Sequence, residues 1–439
     1  MMKPEERCLH HNRCGLALGF VAAQLSVLSD EMLLSCPAMM DPSKIFAVEL
    51  FVKLYKIMTA AGERAAILII PLKVIQISLT HGMSPHSPVS FAQYGNYLAL
   101  VRNEFGEGHR YVKVALSMMN TIPCRAQHGN IMFYANNTKL YVEPMQSAIE
   151  GFLDAYKAGM KSGNPYAIEI FFVYVNLCFW SGRELNVVVV SMKEAMKQAK
   201  YQKNLVCLTM LLPVFRMALR LMGHSIEAQH DDLVNAFGET FREDDITGKH
   251  AMNLHTLFFV RLSQALIFRE IDEARDAAEK YFSIDQNSQF SSTMPSMFFR
   301  VFYSGLVSFW IGREMHDKKG KKWIARGVKC KNEIEKLAGS ASEWNFQNKA
   351  YLLQAEEQFC GRNFEVAEQL YDAAILSSKT HKFVIEEALA NELAGHFYLE
   401  TGRRYKSVHY FSRAFDKYSE WGAVAKAKTL TQYFGLSGR

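Results

Sequence analysis

Two six-residue stretches decide the fold: Phe359-Cys360-Gly361-Arg362-Asn363-Phe364 and Glu400-Thr401-Gly402-Arg403-Arg404-Tyr405. They begin 41 positions apart, at 359 and 400, and each precedes an amphipathic segment. Small and aromatic residues recur there at helical spacing: Ala367, Tyr371 and Ala374 in the first segment, and Val408, Phe411 and Ala414 in the second. Small residues let two antiparallel helices touch, and the aromatic residue fills the groove to the next pair. The stretches therefore predict a helix pair that repeats with a period of 41 residues.

The same pattern extends over most of the chain. Weaker copies begin at Arg269 and Gly182, and strand signals are nearly absent. Glycine-containing breaks separate the apolar-periodic segments at Ala61-Gly62, His81-Gly82, Glu107-Gly108, Gly163-Asn164-Pro165, Ser181-Gly182, Met222-Gly223, Ile311-Gly312, Cys360-Gly361 and Thr401-Gly402. Glycine at such breaks favours a left-handed helix C-cap. The sequence thus predicts an all-α, tetratricopeptide-like solenoid of antiparallel helix pairs, a right-handed superhelix of roughly eighteen to twenty helices that are longer than in the 34-residue consensus.

The periodicity weakens at two places, Asn120 to Met132 and Ala236 to His250, which we expect to form long loops or a bend. Neither has the composition of a flexible linker. We therefore expect three parts: an N-terminal helix or poorly ordered segment at 1–40, the first half of the array at 41–240, and the second half, with the clearest repeats, at 250–439.

The composition of the 439 residues is that of a folded protein with a large buried surface. Hydrophobic residues make up 49% and charged residues 21%, which is too apolar for disorder. The formal net charge of +6 is small for this length, so the bulk charge does not point to nucleic acid. The eight cysteines are scattered and form no CxxC pair, which is typical of a reducing compartment. We therefore expect a cytoplasmic protein.

An apolar segment from Gly15 to Leu28 follows Arg7 and Arg13 and has the proportions of a signal peptide. It is too short to cross a membrane as a helix. Ser35-Cys36-Pro37-Ala38 makes a poor cleavage site, and Asp30-Glu31 closes the run like the polar face of a helix. These features favour the first helix of the array over a targeting segment, and they predict no stable membrane insertion.

A set of motifs runs in order from about Asp41 to about Phe434. They are Thr80-His81-Gly82-Met83-Ser84-Pro85 with Tyr94-Gly95, Phe152 with Tyr156 and Met160, Glu386 to Ala394 with Phe397-Tyr398-Leu399, and Trp421-Gly422-Ala423 with Ala425-Lys426. In this order they resemble the helical, tetratricopeptide-like repeat region of the multi-sensor signal-transduction kinases, which also contain a signalling AAA ATPase. In that family kinase-like and ATPase domains precede the repeats, and sensor with histidine-kinase or cyclase domains follow them. The resemblance implies a regulatory region that relays sensor input.

The enzyme motifs of that family are missing. No G-x-x-x-x-G-K-[ST] loop is present, because Asp245-Ile246-Thr247-Gly248-Lys249-His250 lacks the upstream glycine and the hydroxyl that would hold magnesium. No kinase H-R-D or D-F-G set, histidine-kinase nucleotide box or catalytic triad is found. We therefore expect no enzyme activity and no cofactor. The chain is either a free-standing interaction module or one piece of a longer or split gene.

Glu392, His396 and Glu400 lie at i, i+4 and i+8 and would share one face of a helix, where they could seat a metal or pair an acid with a base. No further residue is available to orient them, and the resemblance implies Arg where His396 stands. A solvated or inter-helix polar stripe is therefore the favoured interpretation.

A second group, Cys8, His10, His11 and Cys14, has side chains that bind zinc. Its spacing fits no standard zinc finger and no second half follows. A frayed terminus is the favoured interpretation, and no metal is expected.

A basic amphipathic segment is the best candidate for partner binding. Its basic residues are Lys318, Lys319, Lys321, Lys322, Arg326, Lys329, Lys331 and Lys336, with Glu333 before the last of them. Its apolar side carries Trp323, Ile324, Val328, Ile334 and Leu337. The apolar side should dock on the array, and the basic side is either solvated or meets an acidic partner, a phosphate or a membrane surface. The basic side has no aromatic stacking residues on the same face, so nucleic acid is not expected. The predicted partner-binding face is Lys322, Arg326, Lys329 and Lys336.

Three functional hypotheses follow. The first is a protein-protein interaction scaffold or regulatory module in signal transduction, with kinase, ATPase or cyclase domains as partners. The second is a remnant or fragment of a nucleotide-dependent signalling enzyme that retains a cryptic ligand site. The third is peripheral membrane association through Gly15 to Leu28 and the basic helix at 321–336.

Overall fold

The computed structural model describes residue 19, residues 21–225 apart from 62 and 64, residues 251–284, and residues 297–438 apart from 316. Helices make up most of this part of the chain, and within it there is no strand, only an isolated bridge between Ala38 and Met83. The predicted all-α fold of tetratricopeptide-like helix pairs is confirmed. Two predicted features lie outside the described residues: the loop at Ala236 to His250, where the array was expected to divide, and the Cys8 to Cys14 group.

The described residues form two compact units. The first contains the described residues up to Val142 together with Glu150–Ala167, and the second contains Glu143–Ile149 and the described residues from Ile168 onward. The predicted division of the array at 240–250 stays a prediction.

The first unit holds six helices with described bounds and most of a seventh. They are α1 (Asp30–Leu34), α2 (Pro42–Ala60), α3 (Ala66–His81), α4 (Ser87–Leu100), α5 (Phe105–Met118), α6 (His128–Val142) and α7 (Met145–Lys161). From α2 to α6 each helix packs against the next, and α4 also packs against α6. Many of their buried side chains, with Val21 and Leu25 before them, form one core, and Tyr55, Ala66 and Ile70 form a second, smaller cluster. The weakly periodic stretch at Asn120 to Met132 contains the loop after α5, a 3-10 turn at Arg125–Gln127 and the start of α6.

The second unit holds the other twelve α-helices with described bounds. They are α8 (Ala167–Trp180), α9 (Leu185–Tyr201), α10 (Leu205–Met222), α11 (Ala251–Phe268), α12 (Ile271–Ser283), α13 (Met297–Glu314), α14 (Lys318–Ser340), α15 (Glu343–Cys360), α16 (Phe364–Thr380), α17 (Val384–Glu400), α18 (Arg404–Trp421) and α19 (Val424–Leu430), followed by a 3-10 helix at Thr431–Gly438.

These helices form an inner and an outer layer. The inner helices α8, α10, α11, α13, α15 and α17 are buried on nearly all sides. The outer helices α9, α12, α14, α16 and α18 bury one face and expose the other. The sequence reflects this division in part, since α8, α10 and α13 are largely apolar and the outer helices are amphipathic. The inner helices α15 and α17 also carry charged residues, which are buried between helices. Inner helices also contact each other from pair to pair, as α13 does with α11 and α15.

The second unit closes on itself through α19. This short helix packs against α18, its neighbour in sequence, and also against α10 and α11. Just before it, the Trp421 ring lies 5.7 Å from that of Phe179 in α8, between ring centroids. The last helix pair of the unit therefore contacts the first ones.

The structural repeat is one residue shorter at the junction from which the period was predicted. Buried residues of α16 and α18 correspond at a spacing of 40 residues. The pairs are Ala367 with Ser407, Tyr371 with Phe411, Ala374 with Ala414 and Ser378 with Tyr418. The alignment of Gly361 with Gly402 is therefore wrong. The backbone equivalent of Gly402 (φ +78°) is Arg362 (φ +60°), and Gly361 has an ordinary helical conformation.

Two other predicted breaks are also wrong. Gly108 and Gly312 lie inside α5 and α13. Both mark close helix contacts, because a Cβ on Gly108 would lie 2.5 Å from the carbonyl oxygen of Gly95, and one on Gly312 would lie 2.6 Å from Ile324. The left-handed cap is confirmed at Gly163, Gly182, Gly223 and Gly402.

Candidate protein-binding surface

Aromatic side chains fill the interior of the second unit. Trp180 lies at the centre, with its ring centroid 4.9 Å from that of Phe259 and 5.3 Å from that of Tyr303. Phe299 packs beside them. Such interdigitated rings fill the space between the inner helices around Trp180. Among the described helices of this unit, the outer ones expose one face to solvent and so offer surface to a partner.

Glu392 is held inside this interior by two partners. It lies on α17 with no exposed surface, and its Oε1 accepts a hydrogen bond of 2.5 Å from the Nζ of Lys426 in α19. Its Oε2 accepts a 2.8 Å bond from the Tyr418 hydroxyl. Burial disfavours the charged carboxylate, but the adjacent Lys426 and His396 outweigh it and hold the pKa of Glu392 well below its usual range. Glu392 is thus a structural anion.

The predicted row of Glu392, His396 and Glu400 does not form a solvated stripe. Glu392 and His396 are buried between helices, whereas Glu400 is exposed at the end of α17. Burial, with the charge of Arg269, lowers the pKa of His396 to about 4, so the imidazole is neutral near pH 7. The carboxylate that would work with it is already bound by Lys426 and Tyr418. The inter-helix polar interpretation therefore fits Glu392 and His396.

Two other ion pairs are buried among the described residues of the second unit. Arg313 of α13 binds Glu356 of α15, which also accepts a 2.6 Å hydrogen bond from the Tyr371 hydroxyl. Lys349 of α15 lies 2.8 Å from Glu386 of α17, between Nζ and Oε1. These pairs join successive inner helices.

His255 of α11 is a buried neutral base. Its Nδ1 lies 2.6 Å from a guanidinium nitrogen of Arg300 in α13, and its ring stacks on Tyr281 with 4.3 Å between centroids. Burial and the charge of Arg300 lower the pKa of His255 to about 3. No group of three or more potential metal ligands occurs in the part of the chain that the structure describes.

The four residues predicted as a partner-binding face all lie exposed on α14. We call Lys322, Arg326, Lys329 and Lys336 the basic face. In the described residues none of the four has a carboxylate within 4.0 Å. Lys331 behaves differently, because it lies on the other side of α14 and pairs with Glu335 and Glu357. The apolar side docks as predicted, with Trp323 and Ile334 buried.

The basic face borders a pocket that the sequence did not predict. A cavity of about 270 Å³ between α12 and α14 is lined by Glu279, Phe282, Ser283, Lys319, Lys322, Trp323 and Arg326. We call it the α12–α14 pocket. The α14 contribution could have been inferred from i, i+3 and i+4 spacing, whereas the α12 contribution depends on how that helix pair packs.

Arg326 lies across the aromatic wall of this pocket. Its guanidinium carbon is 4.5 Å from the Trp323 ring centroid and 4.9 Å from that of Phe282. Stacking on rings orients the guanidinium while its N–H groups remain available to an anion. Lys329 and Lys336 do not line the pocket and continue the basic face further along α14.

The first unit exposes an apolar row on α2. Phe46, Leu50, Leu54 and Ile57 share one face of this helix and are 40–62% exposed. Nothing in the described residues shows what covers this row.

One described helix, α10, is long and apolar enough to cross a membrane. It is 67% buried inside the protein and packs against α9, α11 and α19. A core helix has these properties as well, so the apolar composition of α10 is weak evidence for a membrane.

Comparisons with known proteins place the chain in no family. No family model and no curated protein matches it. Among solved structures, the crystal structure of yeast Tom70 aligns with 88% of this chain and 96% of its own, at 9% sequence identity and a TM-score of 0.27. That similarity is too low to support an argument on function.

Proposed function

We propose that the chain is a protein-interaction scaffold and that the basic face of α14 binds an acidic segment of a partner protein. The observation that carries this proposal is the row of four exposed bases, none of which has a carboxylate within 4.0 Å in the described residues. One carboxylate, that of Glu333, lies on the same face of α14 and interacts electrostatically with Lys329, so the face carries four positive charges and one negative charge. A surface with an excess of one sign of charge speeds the encounter with an oppositely charged partner and fixes its register.

The packed interior of the second unit supports an outward-facing role. Its inner helices are occupied by aromatic and ionic contacts, so the outer helices offer the accessible surface. The resemblance to the repeat region of sensor kinases suggests kinase, ATPase or cyclase domains of cytoplasmic signalling proteins as partners.

The test is capture of partners from native lysate with three forms of the full chain. The first is the unchanged chain, the second carries Lys322→Glu, Arg326→Glu and Lys329→Glu, and the third is a matched control with Lys113→Glu, Lys197→Glu and Lys379→Glu. The control residues are exposed helical lysines on other helices. Circular dichroism and melting temperature would verify that all three fold.

The proposal requires one protein that the unchanged chain and the control retain and that the α14 variant loses. Cross-linking mass spectrometry should place α14 next to an acidic segment of that protein. Retention of the same proteins by the α14 variant would contradict the proposal. If ATP with Mg²⁺ raised the melting temperature while no protein was retained, a remnant nucleotide-dependent enzyme would be the better hypothesis.

A further inference from the structure

The α12–α14 pocket has a charge balance that points to one kind of ligand. Its described lining carries three cations, Lys319, Lys322 and Arg326, and one carboxylate, Glu279. These charges leave a net charge of +2, which a ligand with a single carboxylate would not neutralise. A phosphate monoester carries about −1.5 to −2 near pH 7 and offers three acceptor oxygens.

We propose that this pocket binds the phosphate of a phosphoserine or phosphothreonine in the partner protein. The inference rests on the proposed function, and it adds that phosphorylation of the acidic segment controls docking. Arg326 is the central contact, because its guanidinium is oriented by Trp323 and Phe282 and matches two phosphate oxygens at once. Lys319 and Lys322 add charge from the same helix.

The rest of the basic face favours a peptide over a free phosphate compound. Lys336 is ten residues beyond Arg326 on α14, which is about 15 Å along the helix axis. An extended peptide covers that distance with about five residues. Acidic side chains near the phosphorylated residue would therefore reach Lys329 and Lys336, which a small phosphate compound would not.

The surroundings of the pocket also favour a protein over a membrane. An amphipathic helix that binds a bilayer inserts its large apolar side chains into the lipid. In α14 those side chains, Trp323 and Ile334, are packed inside the protein. Neither α12 nor α14 contributes an exposed large apolar side chain in its described residues.

The test uses the full chain and two fluorescein-labelled peptides in anisotropy titrations. One peptide has a central phosphoserine with glutamates on both sides, out to about five residues in each direction so that either chain direction can reach Lys336. Its twin has serine at the centre. Inorganic phosphate, and phosphatidylcholine vesicles with and without phosphatidylinositol bisphosphate, serve as probes for the other sources of phosphate.

We expect the phosphopeptide to bind about tenfold or more tightly than its twin, the scale of a charge-assisted bidentate contact. Arg326→Gln should remove most of this difference and leave the weak binding of the twin. Lys329→Gln with Lys336→Gln should weaken both peptides by a similar factor and preserve the difference. Lys197→Gln, the matched control, should change neither.

Equal binding of the two peptides would overturn the inference and leave the proposed function standing, as would a phosphate preference that survives Arg326→Gln. Binding of inorganic phosphate or of phosphoinositide vesicles without binding of the phosphopeptide would also overturn it. If neither peptide binds, the inference fails, and the lysate capture decides the proposed function separately.

Discussion

The interior of the second unit and the outer face of α14 use the same kinds of charged residue in opposite ways. Inside, Lys426 and Glu392 are each about 1% exposed or less and bind one another across helices. Outside, Lys329 and Lys336 are exposed, and in the described residues neither has a carboxylate within 4.0 Å. A buried charge without its partner is costly, whereas an exposed one is solvated at little cost. Charges of the first kind therefore maintain the fold, and charges of the second kind can be used for binding.

The largest expected effect comes from separating the buried pair. Lys426→Met would leave Glu392 ionised without its cation, or force it to take up a proton, and should lower the free energy of unfolding by about 3 to 5 kcal/mol. Urea unfolding followed by circular dichroism measures this change. The double variant Lys426→Met with Glu392→Met should recover most of the loss, because no buried charge remains. A single variant as stable as the unchanged chain would show that this pair does not maintain the fold.

Acid should weaken the interior through its two buried histidines. The pKa values of His255 and His396 are about 3 and about 4 in the folded chain, below about 6.5 in the unfolded chain. Below pH 6.5 the unfolded state therefore binds protons that the folded state excludes, and stability falls as the pH falls. Each histidine should contribute up to about 1.4 kcal/mol per pH unit.

Unfolding titrations between pH 7 and pH 5 check this expectation, since carboxylates contribute mainly at lower pH. His396→Gln cannot gain the proton and should flatten the dependence relative to the unchanged chain at each pH. A slope that is identical in the two proteins would remove His396 from the explanation.

Some exposed bases affect stability through the backbone. Lys382 has a φ of +59°, in the left-handed region that favours glycine. Lys382→Gly should raise the free energy of unfolding by up to about 1 kcal/mol, because it relieves this strain, less the entropy that glycine adds to the unfolded chain. Lys379→Gly, three residues before and in the last turn of α16, gains no such relief and should not raise it. A loss of stability on Lys382→Gly would contradict the argument.

The smallest effect on stability should come from the basic face. Lys329→Gln with Lys336→Gln should change the free energy of unfolding by less than about 0.5 kcal/mol, since neither base has an ion-pair partner in the described residues. The same variant should lose affinity for the acidic peptide. A large loss of stability would mean that these bases belong to the fold, as Lys426 does.

The sequence predicts well what depends on local periodicity. Apolar spacing identified the helices, and the run from Lys318 to Lys336 indicated which side of α14 docks. Glycine was a weaker guide, because Gly108 and Gly312 mark close helix contacts, while Arg362 and Lys382 take left-handed positions. A glycine is compatible with either role, and only the packing of the next helix distinguishes them.

Contacts between distant repeats could not be inferred from spacing. Glu392 and Lys426 are 34 positions apart, on helices that are not consecutive, and no periodic pattern links them. The α12 wall of the pocket was missed for the same reason: Glu279 and Phe282 reach α14 only through the packing of two helix pairs. The spacing of Glu392, His396 and Glu400 on α17 therefore could not reveal that Glu392 is buried against Lys426 of α19.

The contact of α19 with α10 and α11 sets an order of events during synthesis. More than two hundred residues separate Met222 from Val424, so α10 leaves the ribosome long before the helix that covers it. An open repeat array can become stable pair by pair as it emerges, because each repeat needs only its neighbours. In this unit part of the apolar surface of α10 stays uncovered until Val424–Leu430 has been synthesised and can pack against it. A chaperone that binds apolar segments would therefore be needed most on nascent chains that have passed Met222 and not yet reached Leu430.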